Sequence, residues 1–153
     1  MLLSELINAF KTVALKHKDI ESFDMGDDYL IEGNVVHQYP KFFLETPFQI
    51  IYPQDRRLQY YTVSFAFLVL MNKLEDNIDD QIQGVSDSAL ITEQILAKIR
   101  LDYATDIQIL TAVSLTYNDM TNEGLSTTRT DITCNILLNQ CTTALELSDI
   151  FTK

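Results

Sequence analysis

The densest set of side chains able to bind a cation or move a proton is the acidic run Glu75-Asp76-Asn77-Ile78-Asp79-Asp80. A hard cation such as Ca²⁺ needs several oxygen ligands at alternating positions around a glycine turn. Here the acids do not alternate in that way and Gly84 comes too late, so the run reads as a solvated turn that also discourages stray pairing of strand edges. His17 and His37 are the only histidines, and neither stands in a His-x-x-x-His or Cys/His spacing. His17 suits a helix end and His37 a loop before Tyr39-Pro40. Gly26, Gly33, Gly84 and Gly124 are isolated from one another, so neither a phosphate-binding loop nor a dinucleotide fingerprint can be assembled. No serine lies in a Gly-x-Ser-x-Gly elbow, and a serine or threonine nucleophile needs a base that two histidines would have to supply. The expectation is a protein that is not an enzyme, with no catalytic, cofactor-binding or metal-binding residue to name.

Cys134 and Cys141 lie an odd number of residues apart, which would place them on opposite faces of one extended segment. They read as reduced thiols in or near a core, with synthesis inside a cell as the corollary. The formal net charge of −11 and a pI near 4.4 argue against a direct grip on DNA or RNA, because affinity for phosphate comes mainly from Lys and Arg. After Arg100 the only basic residues are Arg129 and Lys153, against Asp102, Asp106, Asp119, Glu123, Asp131, Glu146 and Asp149. The second half should therefore present a negative potential. The longest apolar stretch, Phe65 to Met71, has the length of a strand rather than a membrane span. The opening Met1-Leu2-Leu3-Ser4-Glu5 lacks the basic start of a signal peptide. A soluble protein without membrane association is expected.

The 153 residues suit a single domain, 1–153. Leu3, Leu6, Ile7, Phe10, Val13 and Ala14 recur at helical spacing and predict a helix over about residues 2–18, with Lys16, His17 and Lys18 at its negative pole. Residues 19–40 break the pattern and read as a long N-terminal loop, of a length that suggests docking by a partner. Lys41 to Glu45 and Phe48 to Tyr52 are short apolar runs around Thr46-Pro47, a strand with a continuation or hairpin partner, which the prolines keep near an edge or a bulge. From Leu58 to Met71 a long strand places Tyr61, Val63, Phe65, Phe67 and Val69 on one face and Thr62, Ser64 and Ala66 on the other. A second helix is predicted from about Ser86 or Ser88 to Tyr103, with Ile91, Ile95 and Ile99 one turn apart. Two further strands, Ile107–Tyr117 and Thr127–Leu138, flank a loop, and residues 144–153 form a C-terminal tail. The fold class implied is α+β: a mainly antiparallel sheet with two helices packed on one face.

Most of the seven Tyr and eight Phe read as core. Tyr52, Tyr60 and Phe151, with Leu147 and Ile150 of the tail, are the candidates for a subunit interface, where aromatic residues are enriched.

Four stretches carry a likeness to a known group of proteins. They are the end of the first helix through Ala14-Leu15-Lys16-His17-Lys18-Asp19 to Gly26-Asp27, the run Gln38-Tyr39-Pro40-Lys41-Phe42-Phe43-Leu44, the strand and acidic turn from Tyr61 to Asp80, and the paired strands Ile107–Tyr117 and Thr127–Leu138. In layout the chain resembles the small neck and tail-completion proteins of tailed bacteriophages, including tail-terminator-like and head-tail connector subunits. The resemblance implies a structural virion protein, made in the host cytoplasm and located in the neck or tail. There, about six or twelve copies would close into a ring that joins head or portal to tail. Neighbouring neck, portal and tail proteins would be its partners, and DNA would pass through the channel without specific binding. Acids facing such a channel would repel the phosphate backbone and let it slide. The alternative from a different class is a monomeric acidic adaptor or binding module that engages a basic partner through the long loop and the acidic face.

Overall fold

A computed structural model describes residues 1–27, 38–54, 59–71, 77–118 and 125–137. The predicted first helix is α1 (Leu3–Lys16), and the long loop contains a short strand, β1 (Ser22–Gly26). Then come β2 (Lys41–Ile51), β3 (Tyr60–Leu70), α2 (Ile78–Asp102), β4 (Ile107–Tyr117) and β5 (Thr127–Leu137). The five strands form one sheet in the order β1-β2-β3-β5-β4. Only β1 and β2 run parallel, and every other pairing is antiparallel. The fold is α+β, with both helices contributing to the core over one sheet face.

That face is built by the alternation of β3. Tyr61, Val63, Phe65, Phe67 and Val69 are all buried, and the register places them beside Phe42 and Leu44 of β2 and Ile132, Cys134 and Ile136 of β5. Leu6, Phe10 and Val13 of α1 and Ile91, Ile95 and Ile99 of α2 close over them. Phe10 meets the Phe65 ring edge-on at 5.2 Å between centroids, and Phe42 stacks on Phe67 at 4.9 Å. Each such ring taken out of water contributes about 1.5–3 kcal/mol.

The apolar runs around Pro47 prove to be one strand, β2, and not a hairpin. It lies inside the sheet between β1 and β3, so the proline is accommodated by an irregularity in register between Glu45 and Gln49 instead of by an edge. The second helix begins well before the expected Ser86 or Ser88. Asn77 is its N-cap, its side-chain oxygen accepting the Asp80 N–H at 2.8 Å, and Asp79 and Asp80 occupy the first turn, where the helix dipole favours anions. Those two acids therefore belong to a helix start rather than to a turn, and Glu75 and Asp76 lie outside the described residues.

Gly84 falls inside α2, where close approach to the sheet requires it. A Cβ there would stand 2.6 Å from Ser126 Oγ and 2.9 Å from Ser126 Cβ. One turn on, Ser88 Oγ donates to the Val85 carbonyl and accepts a hydrogen bond from Thr128 at 2.7 Å; both hydroxyls are buried. A strip of small and hydroxyl residues thus lets the amino-terminal half of α2 lie close on β5.

The opposite face of the sheet is not uniformly polar. Thr62 donates to Asn135 at 2.8 Å and Ser64 meets Thr133 at 3.0 Å across the β3–β5 ladder. Farther along the same face Leu68 and Leu70 are fully buried with Phe43, Leu125 and the partly buried Tyr39. Lys41 is also buried there, its ammonium 3.8 Å from an Asp24 carboxylate oxygen and 5.5 Å from the centre of the Tyr39 ring.

Candidate assembly interface

His17 and Cys134, the histidine and the cysteine among the described residues, both make contacts within the fold. His17 caps the C-terminus of α1; its Nδ1 accepts the Asp19 N–H at 3.2 Å, so the hydrogen sits on Nε2, which donates to Gln94 Oε1 at 2.8 Å. The imidazole thereby ties α1 to α2. Cys134 is buried on the helix side of β5, and burial pushes its thiol up to about 12, which keeps it protonated and unreactive. His37 and Cys141 lie outside the described residues. Among the described residues no group of three or more His, Cys, Asp or Glu side chains is placed to hold a metal ion.

Two open clefts offer space without converging chemistry. One, of about 470 Å³, lies beside the end of α1 and the middle of α2 and is lined by Lys18, Asp19, Glu21, Asp87 and Gln94 with apolar Leu90 and Ile91. The other, of about 360 Å³, lies at the β2 irregularity beside Arg129. There the Arg129 guanidinium donates to Glu45 at 2.9 Å through Nε and to Asp131 at 2.7 Å through Nη1. These bonds to Glu45, more than the opposing cost of burial, raise the Arg129 pKa above its usual value. A cation already held by two carboxylates has little left for an anionic ligand.

On the sheet the described surface offers exposed apolar area in two places, and apart from it Ile78 and Ile82 are exposed along the start of α2. At one end of the sheet Ile51 closes β2 and Tyr52 follows it, Tyr60 opens β3, and Leu137, its register partner, closes β5. Tyr52 is 72% exposed and Tyr60 half-buried. Along the outermost strand β4, Val113, Leu115 and Tyr117 stand opposite Asp131, Arg129 and Thr127, on the face away from the helices. Val113 is 60% and Leu115 52% exposed, and Leu110 at the bulge of the same strand is 48% exposed.

Of the residues singled out from sequence, Tyr52 and Tyr60 come together at the same end of the sheet, whereas Leu147, Ile150 and Phe151 lie outside the described residues. The β4 row was missed. Ile107, Ile109, Val113, Leu115 and Tyr117 share one parity and so read as a single buried face, whereas the irregularity between Ile109 and Thr111 turns the last three to the other face. Comparison with models of known protein families and with curated proteins finds no match to this chain.

Proposed function

We propose that this chain is a structural virion subunit whose copies close into a ring in the neck or tail of a tailed bacteriophage, joining head or portal to tail around the channel for DNA. The observation that carries the reading is the pair of exposed apolar areas, at the sheet end around Tyr52 and along β4, on a chain of net charge −11. A ring contact is heterologous, with one patch of a subunit meeting a different patch of the next, and two apolar areas on one molecule supply that requirement. Contiguous exposed apolar surface marks contact with another macromolecule. The layout shared with neck and tail-completion proteins supports the phage setting, and the acidic balance suits a conduit from which DNA must not be held back.

The test is light scattering on the purified chain, followed by negative-stain microscopy. Closed rings of mass many times 17.5 kDa support the reading, formed by the chain alone or on addition of its neighbouring ring protein. A chain that remains at 17.5 kDa under both conditions refutes it.

A further inference from the structure

His17 joins three parts of the chain. It ends α1, where its own N–H donates to the Ala14 carbonyl at 3.0 Å, and its carbonyl accepts the Ile20 N–H at 3.2 Å. The side chain is only 11% exposed, and both ring nitrogens are committed. Nδ1 accepts the Asp19 N–H at 3.2 Å in the turn that leads to β1, and the Nε2 hydrogen is donated to Gln94 Oε1 of α2 at 2.8 Å. A neutral imidazole has one acceptor and one donor, and this pair of bonds uses each once.

A second proton can go only to Nδ1, and the two bonds answer it differently. Gln94 Oε1 accepts from Nε2 in either state, so the ring stays anchored on α2. At Nδ1 the added hydrogen would meet the Asp19 N–H, donor against donor, and that bond is lost. A replacement is at hand. Asp19 Oδ2 already lies 3.9 Å from Nδ1, and a carboxylate on an imidazolium makes a charge-assisted bond. Around the ring, among the described residues, Lys16 and Lys18 flank it in the chain, and Asp19 and Glu21 belong to the turn. On α2, Glu93 is next to Gln94 in sequence, Asp87 lines the same cleft as Asp19 and Gln94, and Lys98 is held by Asp102 at 2.8 Å. The lysines oppose the added charge and the acids favour it, but Asp19 carries both the amide and the carboxylate that Nδ1 can use.

We propose that His17 is a proton-operated latch on the turn between α1 and β1. Neutral, the ring holds the Asp19 backbone; having taken one proton from solvent at Nδ1, it releases that amide and binds the Asp19 carboxylate instead, while Gln94 keeps it fixed to α2. The carboxylate so drawn in is withdrawn from the cleft of about 470 Å³, whose remaining charged lining is Glu21 and Asp87 against Lys18. The path of the turn and the charge of the cleft thus change together, between α1 on one side and the buried Ile20 on the other.

The experiment follows the full-length chain from about pH 8 to about pH 5, the range in which histidines change charge. Deuteration at the imidazole C2 position, read by peptide mass, titrates His17 separately from His37. Amide exchange resolved by fragmentation reports on Asp19, with Tyr103, whose N–H is held by the Ile99 carbonyl at 3.0 Å, as the reference. After correction for the intrinsic pH dependence of exchange, the Asp19 amide should exchange at least about fivefold faster once His17 is protonated, with the same midpoint, and Tyr103 should not follow. In His17→Asn the side-chain carbonyl can stand in for Nδ1 but does not titrate, so the Asp19 amide should lose its pH response. Should that variant fail to fold, the wild type still decides. Asp19 exchange that ignores the His17 titration overturns the inference, as does a pH response that persists in a folded His17→Asn chain.

Discussion

Replacing Gly84 by alanine sets two effects of opposite sign against each other within α2. In an unobstructed helix interior the exchange stabilises by about 1 kcal/mol, because glycine surrenders more backbone freedom on folding. Here the new methyl would lie 2.6 Å from Ser126 Oγ and 2.9 Å from Ser126 Cβ. The hydroxyl can rotate away, but the Cβ cannot without moving backbone, and the Ser126 carbonyl is fixed by the Met71 N–H at 2.9 Å. Overpacking of this kind costs about 1–3 kcal/mol, which exceeds the helical gain. Gly84→Ala should therefore lose about 1 kcal/mol in urea unfolding followed by circular dichroism. In a Ser126→Gly background both obstructing atoms are gone, and the same change should become stabilising. A Gly84→Ala single variant that gains about 1 kcal/mol would refute the close packing of α2 on the start of β5.

Three further outcomes follow from the geometry. Cys134 should resist iodoacetamide at pH 8 in the folded protein and react once the chain is unfolded, as read by peptide mass mapping. Because its folded pKa of about 12 lies above the ordinary 9.0, the folded state retains a proton the unfolded state has lost. This contribution to stability is complete below about pH 9, declines as pH rises toward 12, and is removed by Cys134→Ala. Arg129→Met should cost about 1 kcal/mol, since it leaves the half-buried Glu45 without its hydrogen-bonded cation, and a double-mutant cycle with Glu45→Gln should recover most of the loss. Tyr52→Ser should leave the unfolding midpoint within about 0.5 kcal/mol of wild type while weakening assembly, as scattering would show; an unfolded product would instead make Tyr52 part of the fold.

The helix face of the sheet was legible because alternation in β3 and the spacing of Leu6, Phe10 and Val13 each point one way. The early start of α2 was not. Asp79, Asp80, Gln81 and Gln83 look like a polar turn until Asn77 is seen to cap them, and Gly84 looks like a breaker until Ser126 is seen to require it. Pro47 pointed to an edge or a bulge because a proline usually costs a ladder bond, and it is the second that holds: β2 absorbs it at the Glu45/Gln49 irregularity inside the sheet. β1 escaped notice because five residues are too few for alternation to register, and its parallel partner β2 lies beyond Gln38 in sequence. Tyr52 was singled out as an aromatic beyond the core pattern and does lie exposed, but the β4 row was read only as strand. Which side of an edge strand meets solvent depends on what pairs with it, and that is a property of the whole sheet.

Mass in solution measured by multi-angle light scattering, on the full chain alone and with its neighbouring ring protein, tests the central claim most directly. The account predicts a discrete closed assembly many times heavier than 17.5 kDa. A single species of 17.5 kDa in both samples at every concentration would contradict it.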